Sequence, residues 1–215
     1  IAILEKYLSD PVREVRETCE LAIDNIKDRL ANGDDGSDPG YDEHFQSVDP
    51  ALADKSKKTT QQLRADLLNT DLSLYKRYKA MFALRNRVSA SNDLAALQAL
   101  CDGFTQEDGA LFKHEIAFVL GQLQKQESAQ ALEKILRDSN EHEMVRHEAA
   151  EALGSISDPK SLQILSEFQG DSAEAVRESC IVAVDMHNYW SKWNSNQDSK
   201  DEAEEQQEQQ QKKIK

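Results

Sequence analysis

Met144-Val145-Arg146-His147-Glu148-Ala149-Ala150-Glu151-Ala152-Leu153-Gly154 alternates with the period of an amphipathic helix. At 100° per residue, Val145, Ala149, Ala152, Leu153 and Ile156 share one apolar face, and Met144, His147, Glu148 and Glu151 fall on the other. The same register recurs along the chain. Arg77-Tyr78-Lys79-Ala80, Lys113-His114-Glu115-Ile116 and Arg177-Glu178-Ser179-Cys180 align with Arg146-His147-Glu148-Ala149, so a basic residue returns at 77, 113, 146 and 177, at intervals of 36, 33 and 31. A helix rich in Ala, Val and Leu follows each. Before three of them, across a short polar turn, lies another helical stretch: Leu94–Leu100, Ala129–Leu136 and Ser161–Phe168. A two-helix unit repeated in register predicts an all-α fold, an α-solenoid, over residues 59–193.

A longer period lies above this one. Val15-Arg16-Glu17-Thr18-Cys19 matches Val176-Arg177-Glu178-Ser179-Cys180 at an offset of 161 residues. Residues 1–30 therefore read as the last repeat of an earlier copy of the array, with the remainder expected upstream of Ile1. Residues 31–58 contain Asn32-Gly33-Asp34-Asp35-Gly36 and Asp38-Pro39-Gly40, which is turn chemistry, and read as a linker between halves. Residues 194–215, rich in Gln and Glu, have little to bury and read as a disordered tail.

Of 215 residues, 26 are Lys or Arg and 40 are Asp or Glu, a net charge of −14. The acidity runs through the whole chain. It disfavours nucleic acid and anionic membranes as partners, since both require a cationic surface, and leaves a cationic substrate open. No run is long and apolar enough to cross a bilayer. Cys19, Cys101 and Cys180, an odd number without metal-knuckle spacing, point to a reducing, cytoplasmic setting. Cys19 and Cys180 occupy equivalent apolar slots.

The chemistry-bearing positions are the paired His-Glu motifs. A solvent-facing His beside a Glu is common on helices. Two such pairs, His114-Glu115 and His147-Glu148, one repeat apart and in one register, converge on a single patch. Two imidazoles and a carboxylate form the ligand set of non-haem iron sites, with coordination positions left open. Gly121, lacking a side chain, would leave room beside a metal. Glu151 reads as a solvated carboxylate or as a partner to a ligand. His44, His142 and His187 have no match at repeat spacing. Arg16, Arg146 and Arg177 read as bridges between repeats, and Trp190 and Trp193 as caps on the final helix.

The runs Met144–Gly154 and Phe112–Gln122, with Tyr75–Phe82, Ser47–Ala51 and Val176–Cys180, resemble the motifs of the deoxyhypusine hydroxylases over about residues 1–190. The resemblance implies HEAT-like repeats and an oxidoreductase: a dinuclear iron monooxygenase that hydroxylates the deoxyhypusine side chain of initiation factor five-A to hypusine. It implies dioxygen as co-substrate and a peroxide bridging two irons as the oxidant. His114, His147 and Glu148 would bind one iron. Glu115 would serve the reaction and hold the substrate's cationic amine, with Gly121 and Met144 lining its channel. The second iron's ligands would come from an N-terminal half, so these 215 residues alone are expected to be inactive. A different class stays open: a HEAT-like interaction scaffold, or a bilin-lyase-like repeat protein, in which the His-Glu pairs are incidental.

Overall fold

The computed structural model describes residues 1–31, 41, 42, 44, 45, 47–105 and 108–189. Helices α1 (Ala2–Glu5) and α2 (Arg13–Ala31) open the chain. A two-stranded antiparallel hairpin, β1 (Tyr41–Asp42) and β2 (Ser47–Val48), follows. Four helix pairs come next: α3 (Thr60–Leu68) with α4 (Leu74–Ser91), α5 (Leu94–Cys101) with α6 (Ala110–Leu123), α7 (Ala129–Arg137) with α8 (Glu143–Ile156), and α9 (Pro159–Glu167) with a helix over 174–189, α10. The expected all-α solenoid of two-helix repeats is the observed architecture. None of the described helices is long and apolar enough to cross a membrane. Trp190, Trp193 and the 194–215 tail lie outside the described residues, as do residues 32–40 of the linker.

Local chemistry sets the boundaries. Asp93 and Asp158 cap α5 and α9, each accepting from two backbone N–H groups, and Thr59 and Gln62 form a reciprocal capping box on α3. The inner helices α4, α6 and α8 end at Asn92, Gln124 and Ser157, each left-handed with φ of 52°, 51° and 55°. That conformation lets the cap N–H reach back to the last turn's carbonyl, at Val88, Leu120 and Leu153. Only Asn92 is a residue type that signals such an ending.

Three of the four basic residues that defined the register form a buried ladder between repeats. Arg77 Nη1 donates to Asp108 at 2.6 Å, Lys113 Nζ to Glu141 at 2.5 Å, and Arg146 Nη2 to Asp171 at 2.5 Å. Arg77 and Arg146 also donate through Nε to the Leu67 and Leu136 carbonyls at the ends of their own outer helices. Each cation thus ties its own repeat to the acidic residue just before the next inner helix. Arg16 and Arg177 follow a different pattern and donate to nearby backbone carbonyls, those of Asp10 and Asp171.

Part of the segment read as a linker is docked onto the repeats. Arg85, fully buried, grips Asp49 with both terminal guanidinium nitrogens, Nη1 at 3.0 Å and Nη2 at 2.7 Å, and also donates to Gln122. Phe45 lies 4.2 Å from the guanidinium carbon, measured at its ring centroid. Ala51 is fully buried as well. Helix α2 packs on α4 and α6, with Asp28 accepting from Tyr75 and Lys79.

Replacing Arg146 with Ala is expected to lower unfolding free energy by about 3 kcal/mol or more, because Asp171 is left buried without its partner. Urea denaturation checks this. A loss under about 1 kcal/mol would make the ladder no better than exposed ion pairs.

Candidate metal centre

Helices α6 and α8 lie side by side because of small residues. A Cβ on Gly121 would sit 3.1 Å from Ala152 Cα and 3.2 Å from its Cβ. One repeat on, a Cβ on Gly154 would sit 2.6 Å from Ala183 Cβ. The absent side chain of Gly121 is therefore used to bring the helices together, where the sequence had suggested open space beside a metal. Close approach narrows the gap that side chains must span.

Across this contact stand His114 on α6 and His147 and Glu148 on α8. His114 Nε2 is 3.0 Å from Glu148 Oε2, and the two imidazole centroids are 5.5 Å apart. One ligand atom from each of the three lies within 4.8 Å of the others. Both imidazoles are half-buried, and Glu148 is 7% exposed. The helical wheel put Glu148 on the face away from its own helix's core. In the fold that side faces α6, so a carboxylate pointing away from its own helix's core is covered by the neighbour. The donor set of two nitrogens and one carboxylate, with its sole carboxylate shielded from water, fits a divalent metal of the iron or zinc kind.

The other expected residues fall around this cluster. Glu115 is half-buried, and burial pushes its carboxyl up to about 7; His114 opposes that shift, while Asp49 and Glu148 add to it. Met144 is half-buried and packs against the core. Beside the cluster opens a pocket of about 560 Å³ lined by His114, Glu148, Gly121, Phe118, Phe45 and His44, among others. Met144 and Glu115 do not line it. Phe45 and His44 were not foreseen as neighbours, since they come from the segment read as linker. His142 caps α8, its Nδ1 accepting from the Met144 N–H at 3.1 Å. His187 contacts Ser157 at 2.7 Å. Cys19 and Cys180 are both buried, as their apolar slots required.

The flanking repeats lack ligands for visible reasons. In α4 the His position is Tyr78, whose ring is fully buried against Phe82 and Phe112 and whose hydroxyl donates to the Leu111 carbonyl. In α10 it is Glu178, which is exposed.

A family of HEAT repeats matches residues 97–185. Deoxyhypusine hydroxylase of Drosophila pseudoobscura is 43% identical over 189 residues, covering 88% of this chain and 60% of that protein. The Arabidopsis thaliana deoxyhypusine hydroxylase is 50% identical over 189 residues, covering 86% and 58%. The solved structure of the human deoxyhypusine hydroxylase, in complex with glycerol, superposes with a TM-score of 0.77 at 41% identity, covering 87% and 62%. The chain's relatives are deoxyhypusine hydroxylases. It spans about 60% of the length of the curated relatives it matches. The resemblance carried by the His-Glu runs thus extends to deoxyhypusine hydroxylases from an insect, a plant and human, in sequence and, for the human enzyme, in fold.

Two outcomes are expected of this geometry. Gly121→Val should destabilise the chain by about 1–3 kcal/mol and weaken metal binding, because the new side chain meets the Ala152 backbone. Thermal unfolding and metal titration check both effects. Binding should also depend on pH. The contact with Glu151 foremost raises the His147 imidazole above its ordinary 6.5, and a metal needs that ring neutral. Affinity is therefore full at alkaline pH and is lost as pH falls through the raised value, starting above 6.5. A calorimetric titration showing no change between roughly pH 8 and 6 would contradict this.

Proposed function

We propose that the chain supplies one metal-binding half of an iron-dependent monooxygenase that hydroxylates the deoxyhypusine side chain of a translation factor, initiation factor five-A. The observation that carries the reading is the cluster of His114, His147 and Glu148, three residues from the two His-Glu pairs of one register, meeting across the α6–α8 contact. The names of the relatives support the substrate. Bound iron would supply the open coordination positions and the electrons that dioxygen activation needs, chemistry that no side chain provides.

The chain's own residues handle binding and charge. His114, His147 and Glu148 would hold the metal. Glu115, with its carboxyl near 7 because of burial, is close to half protonated at neutral pH while it lacks a partner. A substrate ammonium beside it would favour the ionised carboxylate, the proton leaving to solvent, and would form an ion pair in a setting poor in water, where attraction is stronger than in bulk solvent. The acidic chain also favours approach of a basic protein surface.

Residues 1–30 fit the end of an earlier set of repeats, and the second iron's ligands are proposed to come from the part of the relatives that this chain does not match. On that reading these 215 residues take up one iron and do not hydroxylate alone. In a protein carrying both ligand sets, His147→Ala should abolish hydroxylation and lower bound iron. Glu115→Gln should keep the iron and reduce kcat/KM for the deoxyhypusine substrate by about 10- to 100-fold, the loss expected for a hydrogen bond to a charged group. Iron analysis with steady-state kinetics separates the two. Retention of iron by His147→Ala would sink the proposal, as would hydroxylation by the 215 residues alone.

A further inference from the structure

The last repeat carries Glu178-Ser179 where the two before it carry His-Glu, and the metal cluster makes no use of it. Ser179 is nevertheless not idle. Its hydroxyl donates to Glu151 Oε1 at 3.1 Å, and the same oxygen stands 3.4 Å from His147 Nδ1. Glu151 lies one helical turn after His147 on α8, so the two side chains share a face. Its side chain is 53% exposed, and it is the lone carboxylate oxygen among the described residues within ion-pair distance of that nitrogen.

An imidazole can bind a metal through either nitrogen, and the choice is fixed by what holds the other. A carboxylate on Nδ1 keeps the proton there and leaves the Nε2 lone pair for the metal. It also raises the donor strength of the ring. A free imidazole in water prefers the proton on Nε2, which would block that atom. Ser179, reaching from α10, keeps Glu151 from swinging into solvent, which an exposed glutamate would otherwise do at little cost.

We propose that Glu151 is a positioning residue for His147, held by Ser179, so that the fourth repeat takes part in building the metal centre through a relay from α10 to α8. The metal role of His147 is taken from the proposed function; the relay itself stands on the contacts among Ser179, Glu151 and His147. It explains why a repeat without ligands keeps a hydroxyl in the register where its neighbours carry a carboxylate.

The test uses the 215-residue chain with ¹⁵N-labelled histidine and anaerobic Fe(II) as the probe. Without metal, wild-type His147 should show the Nδ1–H tautomer in long-range ¹H–¹⁵N spectra. Glu151→Ala should shift it toward Nε2–H with no change in melting temperature, since the residue is exposed. Fe(II) affinity should fall about 10- to 100-fold in Glu151→Ala. Glu151→Gln, whose amide oxygen can still accept a hydrogen bond from Nδ1–H, should recover part of that loss, and Ser179→Ala should cost less than Glu151→Ala. An unchanged tautomer in Glu151→Ala would overturn the relay. If His147→Ala binds Fe(II) as wild type does, the metal reading fails, and the tautomer spectra still decide whether Glu151 orients the ring. If His147→Ala loses Fe(II) while Glu151→Ala keeps it, the relay alone fails.

Discussion

Three buried ion pairs, Arg77–Asp108, Lys113–Glu141 and Arg146–Asp171, fix where each repeat sits on the next. None of these side chains is more than 9% exposed. Such pairs gain less than their Coulomb attraction suggests, because both charges were stripped of water. Their value lies in register. A slip of one turn would leave two charges buried and unmatched, at a cost far above that of an equal slip between greasy surfaces. Arg146 makes the constraint tighter still: it also donates to the Leu136 carbonyl, so the same guanidinium sets the angle between the two helices of its own repeat.

The metal cluster depends on that register. His114 and His147 occupy one position in consecutive units, and the Lys113–Glu141 pair ties the first unit to the start of α8, while Arg146 holds α8 to α7 and to the repeat that follows. Gly121 against Ala152 then sets how close α6 and α8 come. Apolar burial supplies most of the stability through Ile116, Val119, Leu120, Val145, Ala149 and Leu153, all fully buried. It does not discriminate among phases as the ion pairs do. Glu148 shows the result: a carboxylate turned from its own core is closed in by the neighbouring helix and held 3.0 Å from His114.

Much of this was legible in the residues. The recurring basic residue marked the repeat, its register placed the cluster's three members among four residues on one patch, and of the arginines read as bridges Arg146 forms an ion pair. What escaped involved two elements at once. A helical wheel knows its own helix only, so it put Glu148 on the face away from the core with nothing to cover it, and Gly121 read as room beside a metal. Both residues change role once α6 lies against α8: the carboxylate is covered, and the glycine becomes the point of closest approach. The docked hairpin was missed for a similar reason, since Asp49 pairs with an arginine 36 residues later. A signal was present: Arg85 continues the stripe of Tyr78, Met81, Phe82 and Val88 in α4, where a lone arginine among fully buried neighbours demands a counter-ion. Left-handed ends at Gln124 and Ser157 had no such signal, because neither residue type favours that conformation.

The central claim is that His114, His147 and Glu148 hold one metal together. X-ray absorption at the iron edge of the Fe(II)-loaded chain tests it most directly, because imidazole rings leave a distinctive outer-shell scattering pattern. The account predicts two imidazoles and at least one oxygen at the metal, falling to one imidazole when either His114 or His147 is replaced. A spectrum with oxygen neighbours only, or one unchanged by both replacements, would contradict it.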